Sequence, residues 1–410
     1  GPGPRHGHGS GVHRRPDVHG NEVTAMRVLF NVSPGLDHLY PALGLAWAFR
    51  TAGHDVAVAT AGVSVDAAAR AGLTVRDVAP DADFTSVFPK KGTPEERIRM
   101  MRERGAEITR SERTPEIILE KFGLINDMMA DGTLEFARGW RPDLIVYSRL
   151  QGTALLAARD LGVPAVENGF SFLREGDLPS RMLPHLAPTF ERLGVPVELP
   201  FVQPVYFAPQ KLMRGEGEGW SMRSMPFQGG GVLPDWLAAP KERARIVVTL
   251  GTIVPGVAGS GSLRSVLDAS AGLDVELILA LGDNVDLAPL GPLPENVRPV
   301  GWTPLSALMP TLDGVVHHGG CGTMLAAAQA GVPQLAMPYG ADNWINASII
   351  ESEGIGFDRQ PEQVDGSVLR ALVEDGPVRK NAAALAEELA VEPGPDRMVT
   401  RLVELAGKRL

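Results

Sequence analysis

The chain has 410 residues and a net charge of −10, and its apolar content of 44% is enough for packed cores in two domains of ordinary size. The acid excess argues against polyanions such as nucleic acid, yet a single nucleotide needs only a local positive site. One cysteine, Cys321, excludes an internal disulfide and fits a reducing cytoplasm, and no apolar run reaches the length of a membrane span.

Residues 1–25 lack the apolar segment of a secretory signal. Their Gly, Pro, His and Arg content is that of a disordered leader or tag, with its histidines in solvent rather than on a metal. Residues 27–32 read as a short apolar strand. A loop over 33–38 follows, then a helix from about 41 to 51, with Pro41 in its first turn and Gly53 past its end. Residues 54–59 begin the next strand, so strand, helix and strand form a parallel α/β unit. His38 then lies at the carboxyl edge of the sheet, where open α/β folds bind ligands. A histidine there suits general-base work near neutral pH. Local packing within the loop is an equal alternative on position alone.

Residues 80–136 lose the α/β rhythm and carry Phe84, Met101, Phe122 and Met128 among many charges. Such residues on irregular helices suit an adaptable apolar pocket, although plain helix packing accounts for most of them individually. Asp81-Ala82-Asp83 has the form of a metal–nucleotide site but sits in this irregular region and reads as solvated loop. A strand over 144–147, a helix over 152–161 and a strand over 165–166 restore the rhythm. Residues 170–225 again mix Phe, Met, Pro and charge, as a second wall of the apolar pocket. Gln228-Gly-Gly-Gly-Val-Leu-Pro-Asp-Trp236 reads as an interdomain linker. The expected divisions are therefore 1–25, 26–226, a linker over 227–243, 244–392, and a last helix over 393–410.

In the second half, strands recur near 246–250, 275–280, 297–300, 315–317 and 334–337, with enough chain between them for crossovers. Thr252 follows the first of these; a hydroxyl there can bond phosphate or simply open a polar loop. The glycine-rich run 256–261 reads as a mobile loop. Trp302 stands after a strand and before Pro304, as a stacking face for a base or as a partly buried core residue. Val315 and Val316 end a buried strand, residues 319–322 make a tight turn, and a helix over 323–330 is stopped by Gly331 and Pro333. Gly319, Gly320 and Gly322 let a backbone approach a ligand closely. The helix amides beyond them form an anion site, most naturally for phosphate, with His318 at its mouth. Leu325 stands where a G-x-G-x-x-G run needs glycine, and no lysine follows, so two commoner phosphate loops are excluded. His317 and His318 are adjacent on a strand and point to opposite faces, which argues against a metal site.

Taken together, Gly301-Trp302-Thr303-Pro304-Leu305, His318-Gly319-Gly320-x-Gly322-Thr323, Gly331-Val332-Pro333-Gln334, Pro338 and Asp342-Asn343-Trp344-x-Asn346-Ala347 resemble the donor-site signature of GT-B nucleotide-sugar glycosyltransferases. The likeness is closest to the family 1 enzymes that decorate antibiotics and other natural products in actinomycetes, and weaker similarity covers nearly all of residues 26–410. The resemblance implies an α/β fold of GT-B type, with two Rossmann-like domains whose parallel sheets face each other across a cleft. The acceptor would bind the N-terminal domain and the nucleotide sugar the C-terminal one, with the last helix crossing back to the first domain. Gly301 and Trp302 would frame a pyrimidine base. Thr252, His318, Gly320, Gly322 and Thr323 would hold the diphosphate, and Asp342 and Asn343 the sugar hydroxyls. Asn343 is one methylene shorter than the Gln usual in the family, which hints at a deoxysugar.

Residues 35–41 resemble the family's first loop, whose histidine activates the acceptor; this assigns His38 as catalytic base. The acidic partner that many members carry just after the strand at 144–147 is replaced here by Ser148. A serine can hydrogen-bond an imidazole but supplies no full charge to an imidazolium. Asp37, Asp127 and Glu167 are candidates for the missing carboxylate, and Phe84, Met128 and Phe170 for acceptor contacts. The activity implied is inverting, metal-independent transfer of a (deoxy)sugar from a TDP-sugar, ahead of a UDP-sugar, to a bulky apolar aglycone. No cofactor is expected beyond the nucleotide-sugar co-substrate; the setting is cytoplasmic, and a homodimer is compatible with it. Two other readings stay open. A GT-B sugar-nucleotide epimerase or hydrolase would need no apolar acceptor region, and Ser148 keeps a non-catalytic activator homologue in view.

Overall fold

The structure is a computed structural model that describes residues 14–16, 22–88, 92–250, 261–283, 285–340 and 342–407. Thr252 and residues 256–260 of the glycine-rich run lie outside the described residues, as do 1–13 and 17–21 of the leader. Two pieces of that leader, Arg14–Pro16 and Glu22–Thr24, pair antiparallel.

The first half is built on seven parallel strands. In chain order its elements are β1 (Arg27–Asn31), α1 (Leu36–Thr51), β2 (Asp55–Thr60), β3 (Thr74–Asp77), α2 (Pro94–Ser111), α3 (Glu116–Trp140), β4 (Leu144–Ser148), β5 (Ala165–Asn168), β6 (Val202–Tyr206) and β7 (Trp220–Ser221). The spatial order is β7-β6-β5-β4-β1-β2-β3. The second half is a six-stranded parallel sheet made of β8 (Ala244–Thr249), β9 (Val275–Ala280), β10 (Val297–Val300), β11 (Gly314–His317), β12 (Gln334–Ala336) and β13 (Gly356–Asp358), in the order β10-β9-β8-β11-β12-β13. Central strands such as Leu144–Ser148 are buried along their whole length, as a sheet covered on both faces requires. α4 (Cys321–Gln329) follows β11, α5 (Asn343–Ser352) follows β12, and α6 (Pro395–Gly407) ends the described chain.

Three helix assignments differ from the sequence expectation. α1 begins at Leu36, not near Pro41, because the Gly35 carbonyl accepts the amides of both His38 and Leu39. Pro41 sits inside the helix and removes only the N–H that would have reached the Asp37 carbonyl. His38 is therefore in the first helical turn, not in a loop. α4 begins at Cys321, two residues before Thr323. Of Gly319, Gly320 and Gly322 only Gly319 takes a positive φ, 86°; Gly320 is extended at −66° and 137° and opens the helix, which places Gly322 inside the first turn. Residues 80–136 are mostly two long helices. Thr93 and Glu96 open α2 by bonding each other's amides, and left-handed Glu112 and Arg141 close α2 and α3.

α6 returns to the first half. Its Met398, Val399 and Leu402 share one apolar cluster with Val28 and Phe30 of β1 and Leu43 of α1. Among the described residues no helix is long and apolar enough to cross a membrane. Leu402 is fully buried, so Leu402→Ala should cost about 2–5 kcal/mol of stability. Urea unfolding followed by circular dichroism would show this as a lower midpoint with an unchanged slope.

Candidate functional site

The two sheets point their carboxyl edges at one cleft of about 1360 Å³, lined by Asp37, Tyr40, Met101 and Phe170 from the first half and by Trp302, His318, Thr323 and Asp342 from the second. At its centre is the turn between β11 and α4. His317 is buried; its Nε2 lies 3.0 Å from Gln334 Oε1 and its Nδ1 accepts the Gly319 amide at 3.1 Å. That pattern puts the imidazole proton on Nε2. Asn346 Nδ2 donates to the Gly319 carbonyl at 2.8 Å. Gly319 is thus held from both ends, and a Cβ on it would come within 2.8 Å of the Asn343 carbonyl.

With the Gly319 amide turned inward to His317, the donors left for a ligand are the amides of Cys321, Gly322 and Thr323, which have no intrahelical acceptor. Gly322 has open space where a side chain would stand; the nearest atom to its Cβ position is Gln228 Nε2 at 3.9 Å. His318 lines the cleft, and its Nδ1 is buried without a partner. Burial lowers its pKa to about 4, so the ring is neutral at pH 7. Burial, aided by His318, takes His317 to about 3.

Beside this turn the Asp342 carboxylate accepts the Cys321 thiol at 3.1 Å, and Asn346 Nδ2 also approaches that sulfur to 3.1 Å. Burial raises the Asp342 pKa and pushes the thiol well above its usual range. Asn343, the next residue, lines the same part of the cleft. At the other end, Trp302 is 50% exposed and its amide donates to Asp283 Oδ1 at 2.8 Å. A Cβ on Gly301 would come within 2.4 Å of that same carboxylate oxygen, which accounts for a glycine there. The linker crosses Trp302: Gly229, with φ 90°, would bring a Cβ to 3.1 Å from Trp302 Cζ2.

Across the cleft, His38 is buried against Phe170 and Phe122, with ring centroids 4.4 and 5.4 Å away. Its Nε2 is 4.0 Å from Asp37 Oδ2, while its Nδ1 is buried and unpartnered. Burial lowers its pKa, and the carboxylates of Asp37 and Asp342, one from each half, work against that shift.

Several sequence-predicted residues are not brought together with the rest. Ser148 is fully buried, but its hydroxyl accepts the Ser33 amide at 3.0 Å. It braces the β1–α1 connection and makes no hydrogen bond to His38. Of the candidate carboxylates, Asp127 is bonded to Thr189 and Arg192. Glu167 lies 3.8 Å from Arg149, accepts from Tyr147, and is raised to about 7 by burial. Asp37 is the one that lies beside His38. Phe170 lines the cleft, but Met128 does not: α3 turns Phe122, Ile125 and Met129 inward and leaves Met128 on its exposed outer face. Phe84 packs beneath Gly62 on a short 3-10 turn and is also outside the cleft lining.

Asp283 and Gln228 were missed in the sequence, and Met101 was noted only as one of several apolar pocket residues. Asp283 stands just past the carboxyl end of β9, a position that marks ligand edges in parallel sheets and could have flagged it. Gln228 looked like the start of a linker, and nothing local distinguishes Met101 from its neighbours on α2.

The chain matches the model of the erythromycin biosynthesis protein CIII-like N-terminal domain over residues 47–251 and that of the C-terminal domain over residues 264–405. It is 37% identical to the elloramycin glycosyltransferase ElmGT of Streptomyces olivaceus, covering 92% of this chain and 97% of that protein. Among solved structures it resembles the glycosyltransferase SnogD from Streptomyces nogalater, at 34% identity and a TM-score of 0.80, covering 93% of this chain and 99% of that one. The Streptomyces sp. SF2575 glycosyltransferase SsfS6, complexed with thymidine diphosphate, is 28% identical with a TM-score of 0.74, covering 93% of this chain and 99% of that one.

The buried His317 gives this site a pH signature. Its folded pKa lies below the unfolded value of 6.5, so as pH falls through 6.5 the unfolded chain takes up a proton that the folded chain refuses until about pH 3. That contribution to stability is complete above pH 6.5 and declines below it. Unfolding free energies measured by urea at pH 7, 6 and 5 should fall less steeply with acidification in His317→Gln than in the parent. The difference should approach one proton between pH 6 and 5.

Proposed function

The chain belongs to the erythromycin biosynthesis protein CIII-like family, GT-B glycosyltransferases of actinomycete antibiotic biosynthesis, and from that membership we propose that it moves a deoxysugar from thymidine diphosphate to a bulky apolar acceptor, with inversion and without a metal ion. The observation that carries this reading is an imidazole that burial keeps neutral, His38, set behind the cleft wall formed by Asp37 and Phe170, in a cleft whose other side carries the helix-start residues Cys321, Gly322 and Thr323 and whose described lining includes no Lys or Arg.

The acceptor hydroxyl gives its proton to His38 as its oxygen attacks the anomeric carbon from the face opposite the nucleotide. The bond to the diphosphate breaks, and its electron pair leaves on the phosphate oxygen. The lowered pKa keeps His38 unprotonated and ready to act as a base at neutral pH, while Asp37 and Asp342 favour the imidazolium as it forms. The charge gained by the diphosphate meets the amides of Cys321, Gly322 and Thr323 and the ring of His318. Trp302 offers its exposed face to the base, and the relative complexed with thymidine diphosphate supports thymine over uracil. The apolar residues Leu36, Tyr40, Phe170, Met225 and Phe227 on the facing wall suit an aglycone of low polarity.

Calorimetry should show thymidine diphosphate binding more tightly than uridine diphosphate. His318→Ala should lower turnover roughly 100-fold, and His38→Ala roughly 100- to 10,000-fold, each with an unchanged circular dichroism spectrum. The product made with an apolar hydroxylated acceptor should carry the inverted anomeric configuration by NMR. Near-parental turnover in His318→Ala, or failure of both nucleotides to bind, would overturn the reading. Release of free sugar at full rate without acceptor would point to a hydrolase instead.

A further inference from the structure

The sugar end of the cleft is not built by the second half alone. α2, which belongs to the acceptor half, lies directly on α5, whose first residue is Asn343. The contact is close because of one glycine: a Cβ on Gly105 would stand 1.9 Å from Trp344 Cδ1 and 2.4 Å from Trp344 Nε1. The indole therefore occupies the notch where a side chain on α2 would otherwise be. One helical turn further along, Ile108 of α2 packs with Ile345 of α5 and with Leu173. One turn earlier, Met101 reaches the loop before α5, where a Cβ on Gly340 would come within 3.1 Å of Met101 Cβ. Met101, Gly340, Asp342 and Asn343 all line the cleft. The spacing 101, 105 and 108 is that of one helical face, so the three contacts form a single seam.

From this seam we propose that Met101 is a sugar-specificity residue contributed by the acceptor half. It is held in place by the seating of Trp344 on Gly105. The assignment rests on the donor-site reading given above. A thioether beside the sugar-binding pair gives the transferred sugar one face that cannot satisfy a hydroxyl. A hydroxyl turned toward it would lose its water without gaining a partner, whereas a deoxy position loses nothing. Selection for a deoxysugar is then made partly by a helix that does not belong to the nucleotide-binding half. Met101 is flexible and unbranched and fills space without fixing a particular sugar shape.

The test compares binding of four ligands by calorimetry: thymidine diphosphate, TDP-glucose, TDP-6-deoxyglucose and, as a second deoxy probe, TDP-2-deoxyglucose. In the parent chain at least one deoxy donor should bind more tightly than TDP-glucose. Met101→Ala should reduce that preference roughly 10-fold and leave thymidine diphosphate affinity within about twofold. Met101→Leu, which keeps the apolar wall, should retain the preference. Gly105→Ala displaces Trp344 and should lose the preference as Met101→Ala does, with circular dichroism confirming that it remains folded. An unchanged preference in Met101→Ala with thymidine diphosphate still bound overturns the assignment and leaves the donor site standing. A uniform loss of affinity for all four ligands in Met101→Ala also overturns it, since the residue would then act on the nucleotide. Failure of the parent to bind thymidine diphosphate removes the donor-site reading, and this inference with it.

Discussion

The Gly319 amide faces inward. A glycine turn ahead of a helix is usually read as a ring of amides offered to a phosphate, but here that amide is held by His317 Nδ1 and the carbonyl of the same residue by Asn346. The turn is therefore a fixed pivot and not itself a ligand. His317 is in turn oriented by Gln334, whose own amide donates to the Met324 carbonyl inside α4. This chain of bonds joins the end of β11, the start of β12 and the body of α4. It determines where the free amides of Cys321, Gly322 and Thr323 lie. In this buried network His317 uses both ring nitrogens and Asn346 its amide nitrogen, while Asn346 Oδ1 is left without a partner, so the bonds of His317 carry most of the constraint.

The same pivot ties the proposed phosphate and sugar positions together. Asn346 lies in α5, and the Cys321 thiol of α4 reaches Asp342 just ahead of α5. A shift of either helix start would move the residues proposed to contact diphosphate and sugar as a unit. The first half is coupled to this frame at several places, including a buried core in which Phe172, Tyr206 and Phe207 pack with Met324 and Leu325 of α4 and Ile349 of α5. The linker lies on Trp302, α2 is seated on α5, and α6 is built into the core that holds α1. Because α1 carries Asp37 and His38, the core completed by the last helix of the chain also sets the height of the proposed base above the donor.

The parallel sheets were legible because their strands are nearly continuous apolar runs separated by crossover-length segments. Residues 275–280 and 297–300 were bounded correctly from that pattern alone. Helix starts were less legible. Pro41 looked like a first-turn residue, yet the carbonyl that opens α1 belongs to Gly35, and only the three-dimensional path of the turn reveals it. The glycines of the elbow shifted the helix start in a similar way: a tight turn over 319–322 put the start at 323, but one positive φ, at Gly319, completes the turn and the helix opens at Cys321. Ser148 marks a harder limit. Its position at the end of β4 is right for a partner of His38, but a hydroxyl bonds whatever backbone donor lies nearest, and that donor is Ser33. Met128 shows the reverse case. Composition identified an apolar helix without its rotation, and the buried stripe of Phe122, Ile125 and Met129 leaves Met128 outside.

The charge balance of the cleft bears on how leaving-group stabilisation is achieved. Among the described residues that line it, none is Lys or Arg, while Asp37, Asp283, Asp286 and Asp342 are present. A fixed cation would attract the diphosphate of the intact donor almost as strongly as the departing one, and would lower the barrier only by the difference. Amides at a helix start and a neutral imidazole bind the ground state less strongly. Their contribution grows as negative charge builds on the bridging oxygen, because they are already oriented and need no rearrangement. His318 fits that role because burial holds its pKa near 4 and removes the charge it would otherwise carry at mildly acidic pH. In the proposed mode of binding, an acidic chain would recognise a dianion by the direction of its dipoles and not by net charge, and the direction of those dipoles is fixed by the turn at Gly319.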